Sequence, residues 1–282
     1  MRRTPTPTME DQAMDDLVLR IVVFALVGLV SGFVSGLFGI GGGTVRVPIF
    51  IYLFPWIGIA HPVLMHVATA TSMALVIPSA ISSTRKQYAL GSLDLGFYKT
   101  WAVGLIIGAV IGAVLLPHGS TEILQAMVAT YMLLVGFYTA FARERPVGDQ
   151  PLGDGKKIGL ASFVGLVAAL TGTSGGTLTT PILTTCKVAL DKAIAISSAT
   201  GLVTGPVAAV GAVISGWNAQ DLPSYSLGYV DLVIFLVMMP TVMISAPSGV
   251  RVGHKMNERT LRLTYAILLI VVGYDLLRRV AL

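Results

Sequence analysis

The sequence has 282 residues, of which 54% are hydrophobic and only 12% charged, with a mean hydropathy of +0.80. A soluble domain carries roughly 25% charged residues, so a deficit spread over the whole length excludes a soluble globular fold. The net charge of +5 comes from basic residues in short loops between apolar runs, which reads as membrane orientation and not as nucleic-acid binding.

Residues 1–16 are polar, contain Pro5 and Pro7, and are expected to form a disordered N-terminal tail. The run 17–38 is too long for a signal-peptide core and lacks a clear cleavage site, so it reads as a retained span. Further apolar runs follow at 45–59, 62–82, 97–116 and 122–141. A basic linker, 142–157, carries Arg143, Arg145, Lys156 and Lys157. Five more runs follow at 158–170, 178–188, 193–215, 230–250 and 261–277. None alternates as barrel strands do, so the spans are expected to be helical, each satisfying its own backbone hydrogen bonds in lipid.

The second set of runs repeats the first. Leu37 to Pro48 reads LFGIGGGTVRVP, and Leu170 to Pro181 reads LTGTSGGTLTTP. Gly39, Gly43 and Pro48 recur as Gly172, Gly176 and Pro181, each 133 positions on. Gly91, Asp94 and Gly136 recur as Gly228, Asp231 and Gly273, each 137 positions on. The expected organisation is therefore all-α, with a first transmembrane repeat at 17–141 and a second at 158–282. Each repeat has about five helical segments, some of them half-helices. Arg85, Lys86 and Lys99 surround the loop after the third segment, whereas the equivalent loop, 216–228, has no Lys or Arg. The loop after the fourth segment shows the opposite bias: 117–121 has none, while its counterpart carries Arg251, Lys255, Arg259 and Arg262. By the positive-inside rule the repeats are inverted, as in many secondary transporters. This places both termini outside, an assignment that Arg278 and Arg279 oppose.

The glycine runs are the first candidate site. Glycine permits a sharp turn and exposes backbone N–H groups, and a helix starting there presents unpaired donors and partial positive charge to an anion. Gly41, Gly42, Gly43 and Thr44 form the first set, and Ser174, Gly175, Gly176 and Thr177 the second, with each threonine expected at the helix N-cap. The same glycines would also serve close helix packing alone. No Lys-Ser/Thr follows them, so neither set is a Walker loop. Arg46 lies three residues past the first turn, where a charge is costly unless it faces a partner, a cavity or an interface. Its counterpart is Thr179.

The third segment carries His66, Thr69, Thr71 and Ser72, and its counterpart Ser197, Ser198, Thr200 and Thr204. Thr71, Ser72, Ser198 and Thr200 are candidate oxyanion donors, with interhelical bonding as the structural alternative. Asp94 and Asp231 precede the fourth segments and are expected to cap them. The lone Cys186 forms no internal disulfide. No metal site, cofactor or catalytic nucleophile with a credible base is expected.

The paired motifs LFGIGGGTVRVP and LTGTSGGTLTTP, in a duplicated chain of this length, resemble the sulfite exporter family TauE/SafE. The resemblance implies an inner-membrane permease that exports sulfite, an organosulfonate or a related sulfur anion, and it falls on Gly41, Gly42, Gly43, Gly175 and Gly176. The anion role of Arg46 is not part of that pattern and rests on its own chemistry. The expected partners are a small anionic substrate and the bilayer, with a homodimer left open as the assembly. The expected function is alternating-access transport of a small sulfur oxyanion between the repeats. A passive anion channel, or a membrane-embedded enzyme, remains the alternative.

Overall fold

A computed structural model describes residues 9–141 and 152–281. Its helices are α1 (Met9–Phe38), α2 (Gly43–Trp56), α3 (His61–Ala89), α4 (Leu95–Leu115), α5 (Thr121–Phe141), α6 (Asp154–Thr171), α7 (Gly176–Thr185), α8 (Leu190–Ser215), α9 (Leu232–Gly253) and α10 (Glu258–Ala281). Seven helices among the described residues are long and apolar enough to cross a membrane, and α2, α6 and α7 are the exceptions. Helix α1 begins inside the segment expected to be a tail, while 1–8 lie outside the described residues. Most of the linker, 142–151, also lies outside them, and Lys156 and Lys157 fall in the first turns of α6.

Polarity runs opposite to that of a soluble protein. Large apolar side chains face outward, among them Ile106, Leu134, Phe137, Ile214, Ile244 and Val271. Hydroxyls are buried inside, including Ser35, Thr69, Ser72, Ser197 and Thr204. Helix α3 is the most enclosed, with 89% of its most apolar window buried against 22% for α1. Helices α3 and α8 pack together at the centre, α1 lies along α9, α4 along α6, and α5 along α10.

Small residues make these approaches possible. A side-chain carbon on Gly28, Gly32 or Gly36 of α1 would overlap Thr241, Ser245 or the Ala246 carbonyl of α9. On the other seam, Gly104, Gly108 and Gly112 of α4 abut α6 in the same way, at Ile158, Ser162 and Leu166. Such seams associate by close packing, because lipid tails offer no hydrophobic drive between helices.

Helix starts follow ordinary capping. Asp94 accepts from Phe97 N at 3.0 Å and Asp231 from Ile234 N at 3.0 Å, so both carboxylates cap their helices as expected. A short antiparallel pair before α9, β1 (Ser226–Leu227) and β2 (Val230–Asp231), was not legible in the sequence. It tucks Tyr229 against His66, with ring centroids 5.0 Å apart.

Contacts at the helix ends define two faces. Arg20 lies over Trp56, and Arg279 donates to the Tyr52 hydroxyl at 3.0 Å, which groups the start of α1 with the ends of α2 and α10. Thr121 donates to the His61 carbonyl at 2.9 Å and adds the starts of α3 and α5 to this face. His254 and Gln87 meet at 3.0 Å on the opposite face, bringing the Arg85–Lys86 end of α3 to the α9–α10 junction with Arg251 and Lys255.

Candidate substrate site

The chain reverses direction twice inside the bundle, between α1 and α2 and between α6 and α7. Gly39, Gly41 and Gly42 take φ of +69°, +65° and +75°, and Gly172 and Gly175 take +70° and +78°. These left-handed values favour glycine, which explains why the motif is glycine-rich. The N-caps are Gly42 and Gly175, without side-chain caps. This corrects the expectation for Thr44 and Thr177, which sit one residue inside their helices, because the turn demands a conformation that threonine resists. Pro48 and Pro181 lie inside α2 and α7 and have no N–H for the carbonyls of Thr44 and Thr177.

The two turns meet. A side-chain carbon on Gly41 would overlap Ser174, and one on Gly43 would overlap the Gly172 carbonyl and come within 2.7 Å of Thr173 Cα. One on Gly176 would come within 2.7 Å of the Gly39 carbonyl. Hydroxyls stitch the contact. Ser174 donates to the Ile40 carbonyl at 2.5 Å, and Ser72 donates to the Gly172 carbonyl at 2.7 Å. Ser197 reaches the carbonyls of Gly39 and Gly176 at 2.7 and 2.9 Å, and Thr204 reaches that of Ser174 at 2.9 Å.

Gly41 and Gly43 are thus brought against Ser174 and the Gly172–Thr173 segment, and Gly176 against Gly39, while Gly42 faces Ser31 and Arg46 and Gly175 faces Val164 and Thr200; with Thr44 and Thr177, all are buried. The third-segment hydroxyls divide. Ser72 is committed to Gly172, and Thr200 to the Ile196 carbonyl of its own helix and to Thr179. Thr71 accepts from Asp231 N at 3.0 Å, holding the start of α9. Ser198, Thr44 and Thr69 are buried without a partner among the described residues, and Thr177 is buried beside the Tyr131 and Tyr265 hydroxyls. Sequence reasoning left Thr173, Ser197 and Thr204 out of the site. The serine and threonine spacing of α8 marked the last two, but not which way they point.

Arg46 is fully buried. Its guanidinium donates to the carbonyls of Gly41 and Leu75, the latter at 3.2 Å, while Nε has no partner. Among the described residues no carboxylate pairs with it. Thr179, its register counterpart, likewise bonds back to its own turn, at the Gly175 carbonyl at 3.0 Å. An apolar groove of about 550 Å³ lies elsewhere, between α4 and α8, and is lined by Val110, Val114, Val207 and Ile214. That lining suits hydrocarbon and offers little to an anion.

Residues 24–276 match the family model described as sulfite exporter TauE/SafE. The chain belongs to the TauE/SafE family. Relatives within this similarity include a "probable membrane transporter protein" of Haemophilus influenzae, 27% identical over 91% of this chain and 97% of its own length. "Probable membrane transporter protein MJ0441" of Methanocaldococcus jannaschii is 25% identical over 93% and 97% of the two chains. "Probable membrane transporter protein YunE" of Bacillus subtilis is 24% identical over 92% and 98%. Coverage of both partners is nearly complete, so the similarity is between whole proteins and not a shared segment. No solved structure matches the chain. As a TauE/SafE member the chain is a multi-pass membrane protein of a transporter family, not an enzyme.

Proposed function

We propose that the protein exports a small sulfur oxyanion, sulfite or an organosulfonate, by alternating access around the facing glycine turns. The observation that carries this reading is a fully buried arginine with no carboxylate partner among the described residues, bonded to the Gly41 carbonyl of the first turn, where that turn abuts Ser174 of the second. A buried, unpaired cation is costly, and a negative substrate removes that cost. The N-terminal amides and dipoles of α2 and α7 add to the attraction.

The rocking elements in this reading are two inverted repeats, α1–α5 and α6–α10. The packing pattern supports it. Exchanging each helix for its counterpart turns the α1–α9 seam into the α6–α4 seam, and leaves α3–α8 and α5–α10 unchanged. Charge supports the orientation. Arg85, Lys86, Arg251 and Lys255 share one face, which the positive-inside rule assigns to the cytoplasm of an inner membrane. The face with Arg20 and Arg279 is then external, with both termini.

The test is flux of radiolabelled sulfite, sulfoacetate, taurine and sulfate in liposomes, comparing wild type with Arg46→Ala and Gly43→Leu. Wild type moves at least one sulfur anion, and both variants lose it. An inactive wild type, or variants that match it for every substrate, would reject the assignment.

A further inference from the structure

The connection between α8 and α9 is longer than the link itself requires. Residues 216–231 join these helices, whereas 90–94 suffice to join α3 to α4, the counterpart pair in the proposed repeats. The short connection stays outside: Gly91 has open space around its Cα, and Asp94 is exposed. The long one turns inward. Tyr229, Val230 and Asp231 are buried, and Asp231 N donates to Thr71 Oγ1 of α3 at 3.0 Å. Thr71 lies well inside α3, which starts at His61, so the contact is about 15 Å from the external end at about 1.5 Å per residue. Non-helical backbone at such depth occurs only where protein buries it or where it lines a water-filled path.

Contacts on both central helices place this segment relative to the glycine turns. On α3, Tyr229 packs against His66, on the external side of Ser72, which holds the Gly172 carbonyl. On α8, Tyr229 N donates to the Ala212 carbonyl at 3.3 Å, and the Tyr229 ring fills the space beside Gly216. Both α8 positions lie beyond Thr204, which holds the Ser174 carbonyl. Tyr229 is thus wedged between α3 and α8, on the way from the turns to the external face. The wedge is lightly held. Strands β1 and β2 pair only at Ser226–Asp231 and Leu227–Val230, and a two-stranded hairpin is marginally stable without packing partners. Hydrogen bonds at Thr71 and Ala212 tie it to the central helices.

We propose that the 216–231 connection is an external lid with Tyr229 as its plug. It closes the path from the glycine turns to the outside and swings out from between α3 and α8 in each transport cycle. The inference rests on the transport reading above and supplies its external gate.

The test pins the lid shut. Cys186→Ser removes the single cysteine of the chain and provides the background. Gly216→Cys with Tyr229→Cys then offers a bridge, because a Cβ on Gly216 would lie 2.8 Å from Tyr229 Cγ. That brings the two Cβ atoms within the roughly 3.5–4.5 Å that a disulfide needs. The full chain is assayed in proteoliposomes with radiolabelled methanesulfonate, sulfoacetate, taurine and sulfate; sulfite is left out because it cleaves disulfides. Oxidation is expected to cut the flux of every transported anion by about tenfold or more, and dithiothreitol to restore it. A closed bridge, verified by loss of free thiol, with flux within about twofold of the reduced protein overturns the proposal.

A second measurement leaves the lid unbridged. Val230 is 5% exposed with the lid in place, and Val164 of α6 is fully buried. In the same background, Val230→Cys is expected to react with an impermeant maleimide added outside intact cells about tenfold or more faster than Val164→Cys. Equal rates overturn the lid. This comparison decides if the bridged pair fails to fold or if sulfite alone is carried. A wild type that carries no anion rejects the transport reading itself, and the labelling still judges the lid.

Discussion

Ser174 stands where a side chain on Gly41 would have to go. The two positions are 133 residues apart, the offset that relates the two motifs, so each is the other's counterpart. Facing counterparts compete for one space, and only one can carry a side chain. This accounts for the departure between the two motifs, GGG in the first and SGG in the second, as a packing requirement. Gly41→Ala is expected to combine overpacking, about 1–3 kcal/mol, with the strain of φ +65°, about 1–2 kcal/mol. The melting temperature in detergent should fall by several degrees. Ser174→Gly in the same chain should recover the overpacking part only. An unshifted melt for Gly41→Ala alone would show that the turns do not meet as described.

The helix seams make a second prediction. Gly36 has no room, because a side chain there would enter the Ala246 carbonyl of α9, whereas Gly159 of α6 has open space around its Cα. Gly36→Leu should therefore abolish recovery of monodisperse protein from detergent, and Gly159→Leu should be recovered like wild type. Equal recovery of the two variants would refute the α1–α9 seam.

Much of this architecture was legible because lipid imposes simple rules. Each apolar run became a helix, including the short α7, because backbone groups in a bilayer must pair internally; most ends fall within four residues of expectation, but α1 starts eight residues before its run and α3 ends seven residues after its own. The glycine turns were legible from Gly39 and Gly172, since positive φ leaves a mark in sequence. The direction of side chains was not. Ser72 and Ser197 look alike as membrane hydroxyls, yet they reach across to the opposite turn, while Thr200 bonds back to its own helix. Helical period alone does not rank these options, because either bond satisfies the hydroxyl. The β1–β2 pair was hidden for a different reason: two-residue strands carry no periodicity.

Under the proposed transport reading, Arg46 separates stability from function. Among the described residues its guanidinium binds only carbonyls, at Gly41 and Leu75, and pairs with no carboxylate. Replacing a buried ion pair by apolar residues of similar volume is often neutral or stabilising, and a buried charge with no counter-ion has still less Coulombic attraction to lose. Arg46→Met is therefore expected to melt at or above the wild-type temperature while losing anion flux and ligand-induced stabilisation. Wild type at a hundredfold excess of anion over its dissociation constant should gain about 2.7 kcal/mol. A variant that melts much lower yet still transports would make Arg46 a structural residue.

In the proposed transport reading, charge accounting sets the driving force. With a singly charged substrate neutralising Arg46, the loaded site is neutral and the empty site carries the positive charge through the return step. One charge then crosses per cycle, whichever state moves it. The potential supplies about 2.3 kcal/mol per charge per 100 mV. A tenfold gradient is worth about 1.4 kcal/mol, so a 100 mV inside-negative potential sustains roughly a fiftyfold outward gradient of a monoanion. Potassium-diffusion potentials across proteoliposomes test this directly, using methanesulfonate with no pH gradient. The steady-state ratio should follow the imposed voltage, and collapsing a pH gradient should leave it unchanged. A ratio that ignores voltage and follows pH would replace potential-driven export with proton coupling, and would require a titrating group within the transport path.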